Sequence, residues 1–442
     1  MVHKNKAHVA IIGGGMAGLS AAATLAEQGI QTTLFESGPH FGGRARSVAI
    51  EFNSQTFQVD NGQHILLGAY HETLKLLEKV GVQEKQAFLR LPLALNMISP
   101  RHKKSFKLAN LNFLPHPLNQ LFGFLCCQGL SFKERVSVVT LIVKLKKNNY
   151  RLTSDALLKD YLLNNHQSNQ TIKFLWEPLC LAALNTPIES ASSKVFLNVL
   201  HDAFNDGKND SDFLIPKLDL SQILSTPIVR YLQANQSTVL NNKLVRSIKP
   251  IEHGFEVATR LEKYTFSHVI IATAARKLKD LTGDLPKLDF VISQTDVYDY
   301  QPIYTVYLQY PNHITLPQPM LGLVDLTSQW VFDRGQLCGQ QGLMAVVISA
   351  KGNHQKLTQD MLALKVAQEL HQAFPYLNKP LWHKVIAEKR ATFSCNVNLP
   401  RPANVTPYLN LFLAGDYTYA DYPATIEGAV RSGIACANLI LK

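Results

Sequence analysis

The stretch that most restricts what this chain can become is its first strand and turn, His8-Val9-Ala10-Ile11-Ile12-Gly13-Gly14-Gly15-Met16-Ala17-Gly18. An apolar run enters Gly-x-Gly-x-x-Gly, and an alanine-rich helix follows. Gly13 permits the tight turn off the strand, Gly15 lets a pyrophosphate approach the backbone, and Gly18 lets the helix pack on the sheet. The helix start, with Met16 and Ala17, then offers N–H groups and a positive dipole end to phosphate. Thr32-Thr33-Leu34-Phe35-Glu36 reads as the second strand, ending in an acid placed to accept from a ribose hydroxyl. Strand, glycines, helix, second strand and acid agree, so this part is expected to bind an ADP-containing dinucleotide.

At 442 residues the chain exceeds one compact core, and two domains are expected. Signals for the dinucleotide half return at 238–274, as short β-like runs closing on Ile270-Ile271-Ala272. They return again at Leu411-Phe412-Leu413-Ala414-Gly415-Asp416, with a final helix opening near Thr425. Between them, 100–224 reads as helix-rich, whereas 288–386 reads mostly as strands with a helix at 361–374. The expected fold is therefore α/β: a Rossmann-like domain, discontinuous over 1–99, 225–287 and 387–442. A second, α+β domain for substrate is inserted as 100–224 and 288–386.

The formal charge of +11 suits anionic membrane surfaces, phosphorylated ligands or nucleic acid. No nucleic-acid motif accompanies it, so no nucleic-acid partner is expected. The six cysteines show no metal-type Cys-x-x-Cys spacing, and adjacent Cys126 and Cys127 cannot form an ordinary disulfide with each other. A reducing, cytoplasmic setting is expected, and Lys4 and Lys6 before the first strand are not read as a signal peptide. The least charged window, 108–132, is broken by Pro115 and Pro117 and carries Asn110, Asn112, Asn119, Gln120 and Gln128, so it is no membrane span. The following segment, 133–147, is apolar in its middle and basic at its end. It is either a buried helix or one lying in a membrane interface, and peripheral contact with an anionic inner membrane face is expected.

Three motifs together resemble the FAD-dependent amine oxidase and phytoene desaturase superfamily. They are the glycine turn with Glu36, then Gly42-Gly43-Arg44-Ala45-Arg46-Ser47, and Gly415-Asp416 with Tyr422-Pro423-Ala424-Thr425-Ile426-Glu427-Gly428-Ala429. Within it the chain is most similar to the hydroxysqualene dehydroxylases. That likeness rests on Val59-Asp60-Asn61-Gly62-Gln63-His64-Ile65-Leu66-Leu67-Gly68 and on Leu175-Trp176-Glu177-Pro178-Leu179-Cys180. One departure is Thr418-Tyr419-Ala420-Asp421-Tyr422, where the family pattern would put a glycine before the proline. The resemblance implies FAD, and reduction of hydroxysqualene to squalene in bacterial squalene or hopanoid synthesis. It also implies contact with upstream enzymes of that pathway. The chain would then be an oxidoreductase acting on a CH or CH2 group.

On that reading Gly43 and Arg44 approach the diphosphate or flavin edge, the fixed guanidinium fork of Arg44 suiting it to the task. Val245 pairs its backbone with adenine, Ala272 is a further cofactor-binding residue, and Gly415 and Asp416 meet the ribityl or pyrophosphate part. Ala424, Thr425 and Ile426 start a helix whose N–H groups stabilise negative charge at the flavin. Glu427 complements that helix start rather than catalysing. Candidate acids for the leaving hydroxyl are Asp60, His64 and Glu177, each with a structural alternative: a turn, a core histidine, a buried pair. Phe122, Phe124, Leu125, Trp176, Tyr417, Tyr419 and Tyr422 are expected to wall an apolar isoprenoid pocket. Burying each CH2 there would contribute about 0.8 kcal/mol. No metal set and no Ser-His-Asp arrangement is present, so hydrolysis is not expected. Two other readings stay open: a carotenoid desaturase or amine oxidase, and a non-catalytic prenyl-binding escort of the same fold. Oligomeric state and the donor that re-reduces the flavin are not readable from the sequence.

Overall fold

The computed structural model describes residues 7–442 except 53–54, 112, 116, 205–206 and 421. Lys4, Lys6, Asn112 and Asp421, named above, therefore lie outside the described residues. Five parallel strands form the first sheet, in the order Thr238–Leu240, Gln31–Phe35, His8–Ile12, His268–Ile271, Leu411–Leu413. Parallel pairing runs Ile12 to Phe35 and Ile12 to Ile271, so three distant pieces of sequence meet side by side. A sheet covered on both faces needs strands apolar at every position. Val9, Ala10 and Ile11 accordingly have no exposed surface, and neither do Val269, Ile270 and Ile271. Helix Met16–Glu27 lies against the last helix, Ile426–Leu441, and Ser20 Oγ donates to Val430 O at 3.2 Å.

A seven-stranded sheet forms the second layer, in the order Trp382–Phe393, Tyr300–Gln309, Leu343–Ser349, Trp330–Asp333, Met320–Leu323, Ala94–Ser99, Lys104–Ala109. Alternation decides its two faces. Val306, Leu308, Val346 and Ile348 pack with Leu362, Val366 and Leu370 of helix Gln359–Ala373, whereas Tyr307, Ala345 and Val347 turn to the larger core. This pairing corrects two expected boundaries. Residues 94–99 were placed with the dinucleotide half, but they form a hairpin with Lys104–Ala109 and pair Met97 with Gly322, so a cut at 99/100 falls inside one hairpin. The cut at 386/387 likewise falls inside the strand Trp382–Phe393. Edge strands are recruited by an open sheet edge, which a linear reading of periodicity does not see.

The stretch 118–204 is helical: Leu118–Cys126, Phe132–Lys147, Leu158–Asn164, Glu177–Leu184 and Ser193–Phe204, with a π-turn over Ile172–Trp176. Helix Phe132–Lys147 begins at a reciprocal capping box between Ser131 and Glu134, and buries Val138, Leu141, Ile142 and Leu145. No described helix is long and apolar enough to cross a membrane.

Candidate active site

The site is assembled at the carboxyl ends of the parallel strands, where open α/β sheets bind ligands. Gly13 has φ +118°, and a Cβ there would lie 2.5 Å from Ala272 O, so the turn admits no side chain. Gly15 is the opposite case: a Cβ built on it meets nothing within 4 Å. It also starts helix Met16–Glu27 without any side-chain cap. The backbone there is thus bare, cradle-shaped and ready to donate, with Gly42 bridged to Gly15 and Gly42 N donating to Gly14 O at 2.8 Å. Met16, Ala17 and Gly18 form the buried first turn behind it.

Glu36 stands at the end of the second strand as expected. Its carboxylate accepts from Gly14 N at 2.8 Å and Gly38 N at 2.7 Å. Its backbone ties down the return strand: Glu36 N donates to Leu240 O and Lys243 N to Glu36 O, each at 2.8 Å. Val245, 2 % exposed, is thereby carried to the acid's side of the cradle. Arg44 meets Asp416, Nη2 to Oδ2 2.5 Å, while Nη1 donates to Ala391 O at 2.6 Å. Asp416, Glu388 and Tyr300 surround that guanidinium, and the Asp416 carboxylate holds its pKa above the ordinary value. Gly43 abuts Gly15, and Gly415 donates its N–H to Ser432 Oγ at 2.9 Å, which fixes the chain entering Asp416. Ala424, Thr425 and Ile426 do open the last helix, with Thr425 accepting from Gly428 N at 3.0 Å as its cap. Glu427 is fully buried and serves a second helix: it accepts from Thr73 N at 2.9 Å and Glu72 N at 3.1 Å at the start of His71–Lys79.

The fit of FAD rests on this chemistry. The open face of Gly15, its uncapped helix start, the ribose-type acid Glu36 and the Arg44 fork all favour a diphosphate and a diol. Two buried hydroxyls nearby, Thr273 Oγ1 and Tyr417 Oη, have no hydrogen-bond partner among the described residues, an expense a bound polar group would remove.

The three candidate acids are separated. Asp60 is 1 % exposed and its Oδ1 accepts from Leu220 N at 2.8 Å. Burial pushes its pKa up to about 6, against the opposing pull of that bond and of Arg334. Its neighbours are structural: Tyr307 Oη donates to Asp60 O at 2.9 Å, and Arg334 Nη1 lies 4.0 Å from Oδ2. One oxygen, Oδ1, thus ties down the turn, while Oδ2 is buried without a hydrogen-bond partner among the described residues. His64 is half-buried, and its Nδ1 donates to Gly62 O at 2.7 Å, leaving Nε2 as the open position. Burial first, and the Arg44 charge second, lower its pKa below 6.5, while the Gly62 bond opposes them. Glu177 is half-buried at the start of Glu177–Leu184, its pKa raised by burial. Its charged neighbours are Glu189, Lys159, Lys173 and Asp325, which places it in a different electrostatic setting from the Arg44–His64 group.

The residues expected as pocket walls fall into different surroundings. Trp176 is 1 % exposed, donates from Nε1 to Gln167 Oε1 at 2.9 Å and meets Phe196 edge-on, so it is core. Phe124, 2 % exposed, packs against Phe204 and is core as well. Phe122 points outward at 43 % exposure, and Leu125, on the same regular helix, is half-buried. Tyr417 is buried beside Asp416. Tyr419 and Tyr422 instead clasp Arg431, whose guanidinium carbon lies 5.7 and 5.1 Å from their ring centres. Sequence reasoning missed Arg334, which is 4 % exposed and donates to Gln63 Oε1 at 2.8 Å, thereby clamping the turn that carries His64. It is 271 residues away from Gln63, and no local pattern marks it.

The family model of flavin containing amine oxidoreductases matches residues 16–441. The chain belongs to that family. It is an FAD-dependent oxidoreductase. Among curated relatives it is 27 % identical to a hydroxysqualene dehydroxylase of Zymomonas mobilis over 98 % of both chains. It is 22 % identical to a zeta-carotene desaturase of Synechocystis over 98 % of this chain and 97 % of that one. An oxidoreductase structure from Methanosarcina mazei superposes with TM-score 0.76 at 16 % identity, covering 98 % of this chain and all of the other (100 %), a likeness of fold.

Proposed function

We propose that the protein reduces an allylic alcohol of a long isoprenoid, hydroxysqualene, to the corresponding alkene, squalene. The single observation that carries this is the end-to-end 27 % identity to a hydroxysqualene dehydroxylase, over 98 % of both chains. At the Gly15 cradle and Arg44 the chain would hold reduced FAD, which would supply the hydride. In the net reaction the C–O bond breaks, one proton joins the hydroxyl to leave as water, and hydride takes its place on carbon.

The chain's part is to hold the cofactor and deliver that proton. His64 is the candidate donor, since Nε2 is open, Nδ1–H is fixed on Gly62 and Arg44 is its charged neighbour. A lowered pKa makes its imidazolium a stronger acid but a scarcer one at neutral pH. The sign follows: the rate of the chemical step rises as pH falls through a value below 6.5, and flattens once His64 is charged. His64→Gln should remove that rise and slow the step by about 10²-fold, the lower range for general acid catalysis. A rise that survives in His64→Gln assigns the proton elsewhere, with Glu177 the next candidate.

The reaction class is tested by comparing substrates. Reduced protein is incubated without oxygen with hydroxysqualene, and oxidised protein separately with zeta-carotene and with a primary amine. Squalene from the first alone supports the reading; desaturation or amine oxidation without it would replace it.

A further inference from the structure

The net charge of this chain is concentrated in one stretch of its sequence. Residues 101–151 hold ten Lys or Arg and one acid, Glu134, a net of +9 against +11 for the whole chain. The elements of that stretch pack on one another. Helix Leu118–Cys126 lies on strand Lys104–Ala109 and on helix Phe132–Lys147, and Arg135 Nη1 donates to Leu125 O at 3.3 Å. Gln128 N donates to Lys107 O at 2.8 Å, closing the edge between them.

The outward side of this layer is apolar where water would select polar groups. Phe113 is 82 % exposed, Phe132 74 % and Phe122 43 %. On helix Phe132–Lys147 the exposed positions Phe132, Val136, Val143 and Lys147 recur along one side, with Lys133 and Lys144 beside them. On helix Leu118–Cys126 the usual arrangement is reversed. Leu118 and Phe122, four residues apart, face out, whereas Asn119 and Gln120 are buried at 0 % and 1 % exposure. Neither amide has a hydrogen-bond partner among the described residues. A helix facing water gains by turning its amides out and its rings in. That preference reverses where the outer medium is itself apolar. Nucleic acid would match the lysines and stack on the rings, but it is no apolar medium that would turn Asn119 and Gln120 inward, and open solvent would match neither the rings nor the inward amides.

We propose that the face made by Lys104–Ala109, Leu118–Cys126 and Phe132–Lys147 docks on an anionic phospholipid bilayer. The rings of Phe113, Phe122 and Phe132 enter the interface, while Lys133, Lys144 and Lys147 meet lipid phosphates. This surface does not depend on the reaction proposed above.

The test is flotation of the flavin-loaded protein with vesicles of phosphatidylglycerol and phosphatidylcholine, against phosphatidylcholine alone, at low and high salt. Binding should need the anionic lipid and weaken with salt. Phe132→Ser with Val136→Ser should weaken it at least tenfold at unchanged flavin content. Lys133→Glu with Lys147→Glu should do the same and flatten the salt dependence. A Phe132→Trp variant covers the case of misfolding: its added fluorescence should be quenched by brominated lipid. Absence of flotation at low salt overturns the proposal. Wild-type binding in both double variants, or an unquenched tryptophan, overturns it too. So does a wild-type oligomer that the serine pair dissociates in the absence of vesicle binding, which would make the face a contact between copies.

Discussion

The glycine cradle and the helical insertion obey opposite rules. Around Gly13 and Gly15 the cradle is made of backbone: contact distance excludes a side chain at Gly13, whereas Gly15 leaves an open face, and the sequence is tightly restricted. In the stretch 118–147 the work falls to side chains whose direction depends on what surrounds them. Apolar content alone does not say which of them face in. One region is therefore specified locally by residue type, and the other by the medium on its outer side.

The sharpest way to break that contrast is at Gly13. Gly13→Val adds a Cβ 2.5 Å from Ala272 O at φ +118°, so it should cost on the order of 3 kcal/mol or more and abolish flavin binding. Melting temperature and the flavin-to-protein absorbance ratio read both effects, and a holoprotein with wild-type colour would refute the cradle. In the insertion, Phe124→Ala should destabilise by about 3–5 kcal/mol as a buried core ring, without changing the substrate's KM. A raised KM at unchanged stability would return Phe124 to the pocket.

Arg44→Met leaves the Asp416 carboxylate, 8 % exposed, without its ion pair. Because the Arg44 side chain is 41 % exposed, the stability loss should be moderate, about 1–2 kcal/mol, while flavin affinity falls at least tenfold. Arg44→Lys should recover less than half of that affinity, since a lysine has one nitrogen in place of the fixed planar fork that sets Nη2 on Asp416 and Nη1 on Ala391. Flavin titration of the stripped protein measures this. The smallest effect has the other sign. Asn119→Leu replaces a buried amide that has no partner, and should raise stability by about 1–2 kcal/mol in detergent-free buffer. A loss of stability there would mean that the amide has a partner in solution.

How much was legible in the sequence follows the same division. The strands at 8–12, 31–35, 268–271 and 411–413, the acid at Glu36 and the helix start near Thr425 were all readable, because each is a short local pattern with its own physical cause. Asp60 was readable as a strand-end acid but not as a buried clamp, because its partners Leu220, Tyr307 and Arg334 arrive from elements 160 or more residues away. Trp176 and Phe124 matched the composition of a pocket wall, yet burial is a property of the packed chain. The π-turn over Ile172–Trp176 also shifts which residues of that helix face inward, and nothing in its composition announces it. The hairpin 94–109 was cut in two because only the open edge at Met320–Leu323 explains where it goes.

The most direct test of the account is an anaerobic single turnover of protein carrying reduced flavin, mixed with one equivalent of hydroxysqualene. Flavin absorbance and extracted lipid are read together. Reappearance of oxidised flavin matched mole for mole by squalene is the predicted result. Flavin that stays reduced while the alcohol is recovered intact would contradict it.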